Sequence, residues 1–200
     1  MAHSIHCNCG KLQGQIKRTK DVNRCVCYCT DCQAFARYLQ RENEILDRRG
    51  GTSIIQTTQE NITFSEGTEN LACIRLTDTG MLRWYADCCN TPIGNTFADF
   101  KISFIGLIHN CLSSNQDLLD EEFGDKCMHV NTKYALGENK PKPSGFLSGT
   151  LRVIGMILKA RFSGSYKNTP LFTSELSGVA IAHPKILSKQ ELNEVMNASK

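Results

Sequence analysis

The cysteines of this 200-residue chain are grouped, and this grouping constrains the fold more than any other sequence feature. Eight of the eleven cysteines fall into three short clusters: Cys7 and Cys9; Cys25, Cys27, Cys29 and Cys32; and Cys88 and Cys89. Sulfurs that are one or two residues apart seldom form disulfides with each other, but they converge easily on one metal ion. The clusters therefore predict metal held between separate segments of the chain.

Three observations bear on compartment and partners. The cysteine count is odd, and residues 1–20 contain no apolar stretch typical of a secretory signal. No run approaches the roughly 20 apolar residues of a membrane span. The net charge of +3 is too small to steer the chain broadly toward nucleic acid. We expect a cytoplasmic protein in a reducing compartment, with no membrane partner and no nucleic-acid partner, and the oligomeric state is left open.

Short β-rich runs separated by turn residues predict a mainly β fold of antiparallel sheets. These runs lie at residues 4–9, 12–17, 22–29, 52–57, 61–64, 71–76, 81–85, 92–97 and 102–108. A helix is predicted to begin at Thr30 or Asp31, because Thr30 and Gln33 match the capping-box pattern. The cysteine clusters fall at the ends of the predicted strands, so the sequence places zinc-binding turns between them.

The character of the chain changes after about residue 112. A stripe of apolar residues recurs at helical spacing: Leu147, Leu151, Ile154 and Leu158. We expect this stripe to pack on the β domain while the neighbouring lysines remain in solvent. A last helix is predicted from Ser188, with Glu191 completing a capping box. We therefore divide the chain into a zinc domain, residues 1–112, and a partly helical C-terminal extension, residues 113–200, packed on it.

The run Cys27, Cys29 and Cys32 is a C-x-C-x-x-C motif between a predicted strand and a predicted helix. A tight turn there would bring three sulfurs onto one zinc ion and leave a fourth position for water or an incoming thiol, as in catalytic zinc sites. The alternative is a closed structural site in which Cys25 or a distant residue is the fourth ligand, and the spacing does not decide between the two.

Two further side chains lie inside this run. Tyr28 and Asp31 are candidates for hydrogen bonds to a substrate or to a zinc-bound water, as second-shell groups of the metal. Asp31 is equally suited to capping the predicted helix.

Two cysteine pairs, Cys7 with Cys9 and Cys88 with Cys89, are what a closed four-thiolate zinc site needs to join two hairpins. In an extended strand Cys88 would point away from Cys89 and pack as a small apolar residue beside Trp84. Asp87 favours a turn instead. We expect a turn at residues 86–89 and all four cysteines as ligands.

The order of these motifs resembles the family of glutathione-dependent formaldehyde-activating enzymes, which includes centromere protein V. The resemblance covers roughly residues 4–110 and rests on C-x-C-G, then C-x-C-x-x-C, then Cys-x-Thr-Pro near residue 90. It implies a β-tent fold and one or two zinc ions per chain. It also implies a catalytic zinc that receives the thiol of glutathione, with the ligands Cys27, Cys29 and Cys32. The structural ligands that it implies are Cys7, Cys9 and Cys89.

The sequence departs from the family pattern at the third motif. Where the family has C-x-x-C-G, this chain has Ala86 in place of the first cysteine and Asn90 in place of the glycine. Cys88 is the available substitute ligand.

The resemblance implies a zinc-dependent carbon–sulfur lyase that acts on an adduct of glutathione or another small thiol. The alternative is a non-catalytic zinc scaffold that binds a protein or nucleic acid through the basic segment 133–167. An exchangeable fourth ligand at the second zinc favours the enzyme, whereas four protein ligands favour the scaffold.

Overall fold

The strands and helices lie close to the positions that the sequence predicts. A computed structural model describes residues 2–112, 116–173 and 178–197. The strands are β1 (His3–His6), β2 (Gln13–Ile16), β3 (Asn23–Cys27), β4 (Thr52–Thr57), β5 (Ile62–Glu66), β6 (Leu71–Arg75), β7 (Leu82–Ala86), β8 (Thr91–Thr96), β9 (Ile105–Ile108), β10 (Cys127–Val130) and β11 (Lys185–Ile186). The helices are α1 (Thr30–Tyr38), α2 (Glu42–Ile45), α3 (Gln116–Phe123), α4 (Phe146–Ser163) and α5 (Lys189–Asn197).

The strands form two sheets, which confirms the mainly β class. A small sheet has the order β1-β2-β5, and a large sheet has the order β10-β3-β4-β9-β8-β7-β6-β11. The pairs formed by β1 to β9 are antiparallel, as predicted. The two edge strands β10 and β11 pair in parallel with β3 and β6, and the sequence analysis did not predict these strands.

Both faces of the large sheet are covered around β7, in which every residue is buried. On one face Trp84 packs in a core shared with Ile5 and Ile62 of the small sheet. On the other face Tyr85 packs in a second core with Phe35 of α1. A strand that is covered on both faces has a continuous apolar character rather than strict alternation, and the sequence LRWYA fits this except at Arg83.

The first helix begins at Thr30 as predicted, but the predicted capping box is wrong. The N-cap is Cys29, whose sulfur accepts a hydrogen bond from the backbone N–H of Cys32 at 3.4 Å. Gln33 is buried and donates instead to the carbonyl oxygens of Tyr28 and Tyr134, at 3.0 and 3.2 Å. The side-chain amide of Gln33 therefore serves two backbone carbonyl groups rather than the start of the helix. A buried carbonyl group without a hydrogen-bond donor would be costly.

The predicted capping box of the last helix is confirmed. The N–H of Glu191 donates to Ser188 Oγ at 3.2 Å, and the N–H of Ser188 donates to Glu191 Oε2 at 2.8 Å. The α5 helix that follows contacts α1, where Arg37 donates to the carbonyl oxygen of Val195 at 2.9 Å.

The predicted packing of the leucine stripe of α4 is wrong. The side chains of this stripe face solvent, with exposed fractions of 72% for Leu147 and 60% for Leu151. The helix turns its small residues toward the protein instead, so that a Cβ on Gly149 would lie only 2.6 Å from Met128 Sδ, and Ala160 is buried. Close approach at small residues decides which face docks, and helical periodicity alone does not reveal it.

The segment after residue 112 is joined to the β domain by strand pairing and by an ion pair between the buried Arg24 and the half-exposed Asp120. Arg24 of β3 is 4% exposed and donates to Asp120 Oδ1 at 2.5 Å and to the carbonyl oxygen of Gly124 at 2.6 Å. The boundary that we placed before residue 113 falls at residues 113–115, which lie outside the described residues, as do residues 174–177 and 198–200 of the expected extension. Among the described helices, none is long and apolar enough to cross a bilayer.

We expect substitutions on the exposed stripe and in the core to differ sharply in their effect on stability. Leu151→Gln should change the free energy of unfolding by less than about 0.5 kcal/mol, as exposed positions do. Ile105→Ala should lower it by about 2–5 kcal/mol, because Ile105 is fully buried. Urea unfolding measures both. A loss above about 2 kcal/mol for Leu151→Gln would contradict the exposed stripe.

Candidate metal centre

The first cysteine group is built on a tight turn after β1. Cys7 and Cys9 flank Asn8, and the N–H of Gly10 donates to the carbonyl oxygen of Cys7 at 2.9 Å. Gly10 has φ of +76°, a left-handed conformation that glycine adopts without steric cost. The N–H of Leu12 also donates to Cys7 Sγ at 3.3 Å, so the sulfur is held from the backbone side.

The other half of this group is the turn between β7 and β8. Residues 87–90 form the turn, and the N–H of Cys89 donates to the carbonyl oxygen of Ala86 at 3.3 Å. Asn90, at the position where the family motif has glycine, has φ of +53°. Asparagine tolerates the left-handed region better than most residues, so it can replace glycine there. The N–H of Asn8 donates to Thr91 Oγ1 at 2.9 Å and joins the two turns.

These two turns bring Cys7, Cys9, Cys88 and Cys89 together, with sulfurs all within 4.8 Å of one another. The sulfur of Cys88 lies 3.8 Å from that of Cys7, 3.2 Å from that of Cys9 and 3.8 Å from that of Cys89. A disulfide bond is about 2.05 Å long, whereas the sulfurs around a tetrahedral zinc ion are about 3.8 Å apart. All eleven cysteines are free thiols. The group fits one zinc ion with four thiolate ligands.

The thiols of this first group differ in acidity. Burial opposes ionisation of Cys89, but hydrogen bonds from Thr91 and Cys9 outweigh it and lower the pKa of Cys89. Burial, together with hydrogen bonding to Cys9 and Cys7, raises the pKa of Cys88. Metal binding would release the remaining thiol protons, since thiolates are the ligands.

The second cysteine group lies where β3 passes into α1. Cys27 is the last residue of β3, Cys29 is the N-cap of α1, and Cys32 is in the first helical turn. Their sulfurs lie within 4.8 Å of one another, and among the described residues no fourth cysteine, histidine or carboxylate completes the group. Cys25 is two residues before Cys27 on the same strand, but its sulfur is not part of the group. The described chain therefore supplies three ligands and leaves one side open.

The acidities within this second group are unequal. Hydrogen bonds from the thiols of Cys29 and Cys32, with a further one from Asn131 Nδ2 at 3.4 Å, lower the pKa of Cys27. The same sharing of protons raises the pKa of Cys29 and of Cys32. The group therefore stabilises one thiolate at Cys27, at a helix N-terminus that favours negative charge.

The open side of this group faces a cavity of about 450 Å³. Apart from the cysteines, its polar lining consists of Asp31, Gln56, Arg83, Asn95, Asn131 and Thr150. Arg83 is 4% exposed, and its guanidinium donates to Asn95 Oδ1 at 3.3 Å and to Asp31 Oδ2 at 3.4 Å. A buried guanidinium and a carboxylate therefore lie beside the position where a ligand of the three cysteines would enter.

The two side chains proposed as second-shell groups separate in the structure. Asp31 lines the cavity. Tyr28 does not take the position that we expected, because its hydroxyl donates to Asp47 Oδ2 at 3.3 Å and its ring stacks on His129. Asp47 and His129 line a different cavity, of about 410 Å³. Burial and the neighbouring Asp47 raise the pKa of Tyr28 to about 12.

Arg83, Asn95 and Asn131 are polar residues of the cavity that were not among the predicted site residues. Arg83 had a usable signal, since a lone arginine inside an otherwise apolar strand must find buried partners. Asn95 is its cross-strand neighbour on β8 and becomes visible only with the register of the hairpin. Asn131 follows β10, and nothing in the sequence connects it with Cys27.

Comparisons with known proteins give a family and a distant structural neighbour. The model of a family described as a family of unknown function, DUF6151, matches residues 2–174. No curated protein matches the chain. The crystal structure of a Rhodobacter sphaeroides protein is similar at 17% identity, covering 60% of this chain and 94% of that one with a TM-score of 0.39.

We expect the protein to bind zinc at both groups when it is purified under reducing conditions without chelator. Cys9→Ser should remove one zinc per chain and lower the free energy of unfolding, because metal binding between two turns contributes to folding. Cys73→Ser is the matched control: Cys73 is buried but belongs to neither group. Elemental analysis and urea unfolding measure the effects. Less than one zinc per chain in the unmodified protein would contradict the assignment.

Proposed function

We propose that this chain, which belongs to the DUF6151 family of unknown function, is a zinc-dependent carbon–sulfur lyase. Its substrate is the adduct of a small thiol such as glutathione with a carbonyl compound. The observation that carries the proposal is a group of three cysteines, Cys27, Cys29 and Cys32, facing a cavity of about 450 Å³. Structural zinc sites are closed by four protein ligands, whereas catalytic sites keep one position open.

The donor set supports zinc at this position. Three thiolates at the junction of a strand and a helix are typical zinc ligands, and thiolate donors select against hard cations such as magnesium. A zinc ion held there would bind the sulfur of the substrate and lower the pKa of its thiol. The order of the cysteine motifs, which resembles that of the glutathione-dependent formaldehyde-activating enzymes, supports the same reaction class.

The side chains around the cavity support a role in moving the proton. When the adduct forms, the thiol sulfur bonds to the carbonyl carbon and the thiol proton passes to the carbonyl oxygen; cleavage reverses both changes. Asp31 is half exposed and lies at the cavity, so its carboxylate can accept the proton and return it. Arg83 is positioned to donate a hydrogen bond to the oxygen, where negative charge develops.

In this proposal the other cysteine group is structural. Cys7, Cys9, Cys88 and Cys89 provide four ligands from two turns that are far apart in sequence. Arg41, in the loop after α1, donates to the carbonyl oxygen of Cys89 at 2.9 Å. This contact connects the four-cysteine group with the helix whose first turn carries Cys32. Metal at the first group therefore supports the position of the second.

A second candidate function is a zinc scaffold that binds another macromolecule. The exposed apolar stripe of α4 favours it, and the basic segment 133–167 contains seven lysines and arginines and one acidic residue, Glu138. Against it, the described residues provide only three ligands at the second group, whereas a scaffold needs no open position. The open group is the more specific observation, so we favour the enzyme.

We expect Cys29→Ser to abolish catalysis of the reversible reaction in which a free thiol and formaldehyde form their adduct. The reason is that Cys29 belongs to the open group and is needed to hold the metal there. Stability should fall less than in Cys9→Ser, because the three sulfurs lie within six residues of one another rather than on two distant turns. Exchange NMR with glutathione measures the rate. If the unmodified zinc protein does not accelerate the exchange for glutathione or for small alkyl thiols, the enzyme proposal is wrong.

Asp31→Asn should leave the zinc content unchanged and slow the same exchange by about 10²-fold or more, as loss of a general acid–base group does. The amide keeps the shape of the side chain but cannot carry the proton. Asp78→Asn is the matched control, since Asp78 is an exposed aspartate that lines neither cavity. An equal rate for Asp31→Asn and the unmodified protein would exclude Asp31 as the proton carrier.

A further inference from the structure

The cavity beside Cys27, Cys29 and Cys32 is apolar over most of its surface. Met81, Phe97 and Phe104 contribute one wall, and the rings of Phe97 and Phe104 have centroids 5.5 Å apart. Met128 of β10 and Ile54 of β4 line the part nearest the cysteines, where they pack with Cys27 and Cys32. Aromatic and methionine side chains of this kind bind flat or unbranched apolar groups.

Helix α4 forms the opposite wall. Val153 and Ile157, one turn apart and half-buried, line the cavity. The helix can lie this close because Gly149, the position one turn before Val153, meets Met128 where a Cβ would be only 2.6 Å from Sδ. The burial of this small residue positions the two aliphatic side chains over the cysteine group.

The charges available in the cavity are few. Besides the cysteine thiolates, Asp31 and Arg83 are the lining residues that carry formal charge, and they are hydrogen-bonded to each other. Glutathione carries two carboxylates and an ammonium group, and burying charge without a partner is costly. One carboxylate or carbonyl oxygen can bind Arg83, and the ammonium group can bind Asp31 only in competition with Arg83. The second carboxylate of the tripeptide has no counterpart on these walls.

The mouth of the cavity continues the apolar surface outside it. Ile154 lines the cavity and is 45% exposed. It lies between Leu151 and Leu158 on the exposed stripe of α4, at the helical spacing that places all three on one face. An apolar ligand therefore meets apolar side chains from the protein surface to the cysteine group.

We propose that the thiol bound at Cys27, Cys29 and Cys32 carries an apolar chain and a single anionic or carbonyl group, in place of the highly charged glutathione tripeptide. The inference rests on the proposed thiol binding and names the substrate class of that site. The chain lies between α4 and the Phe97–Phe104 wall, and the oxygen binds Arg83. The volume of about 450 Å³ is within the range of cavities that bind small molecules.

A series of mercaptocarboxylates tests the inference by isothermal titration of the zinc-loaded full-length protein. 2-Mercaptopropionate, 2-mercaptohexanoate and 2-mercaptooctanoate present the same thiol and carboxylate on neighbouring carbons, with alkyl chains of increasing length. Each methylene that enters the cavity should raise the affinity about fourfold, and the series should level off when the cavity is full. Equal affinity along the series, or tighter binding of glutathione than of mercaptooctanoate, would overturn the inference.

Three variants of α4 test where the apolar chain binds. Ile157→Asn, inside the cavity, should remove the dependence of affinity on chain length. Leu158→Asn, the next residue on the exposed face, is the matched control and should keep the full dependence. Val153→Thr is a milder variant of the same cavity, for use if Ile157→Asn fails to fold. It replaces a methyl group by a hydroxyl and should reduce the dependence of affinity on chain length. An unchanged dependence in both cavity variants would overturn the position of the chain.

Carboxylates without sulfur separate this inference from the proposed function. If both are correct, mercaptooctanoate binds more tightly than octanoate, and Cys29→Ser removes the difference. If octanoate and mercaptooctanoate bind equally, the apolar cavity is supported and the thiol chemistry is refuted. If mercaptopropionate binds through Cys29 but added methylenes bring no gain, the thiol site is supported and the apolar substrate is refuted.

Discussion

Burial of the β7–β8 hairpin on both faces is the constraint on which both cysteine groups depend. Trp84 is fully buried on one face, and its indole N–H donates to Thr96 Oγ1 at 3.0 Å across the hairpin. Tyr85 packs on the other face in the core shared with α1. With both faces covered, a shift of register by one residue would exchange their side chains, so the register is strongly specified. The turn at residues 87–90 then has one position, which places Cys88 and Cys89 opposite the turn that carries Cys7 and Cys9.

The same hairpin contributes the polar end of the cavity. Arg83 alternates with Trp84, so it lies on the α1 face, where its guanidinium is over the ring of Phe35 at 5.7 Å. From there it contacts Asp31, in the first turn of the helix whose N-cap is Cys29. The start of α1 thus brings together three things: sulfur ligands, a helix N-terminus that favours thiolate, and a carboxylate held by a buried guanidinium. The four-cysteine group and the three-cysteine group are connected through one hairpin and one helix.

Helix α4 shows how a local pattern can be correct while its interpretation is wrong. The sequence indicates a helix with an apolar stripe, and the helix is present. Its leucines face solvent, because the docking face is selected by Gly149, where the backbone can approach Met128 of β10 and Asn23 of β3 closely. Ala160, about three turns further along the helix, is also buried. The side chains that do turn inward, Val153 and Ile157, line a cavity and are not part of a closed core. The packing of α4 on the sheet therefore also places Val153 and Ile157 in the wall of the cavity.

The sequence by itself determined the mainly β class, most strand positions, the start of α1, the capping box at Ser188 and the grouping of cysteines, because these follow from short-range periodicity, turn chemistry and ligand spacing. Asn90 was visible as a departure from a glycine position, and its left-handed φ explains why asparagine serves there. Only the tertiary structure decided that Cys25 stays outside the open group, that Tyr28 turns toward Asp47, and that Arg83, Asn95 and Asn131 reach the cavity. These placements depend on the register of the β7–β8 hairpin and on the parallel pairing of β10 with β3. The pairing of β10 with β3 joins residues about a hundred positions apart, such as Cys127 and Arg24. Local pattern contains no information about such pairings, because the free energy that selects them comes from long-range burial.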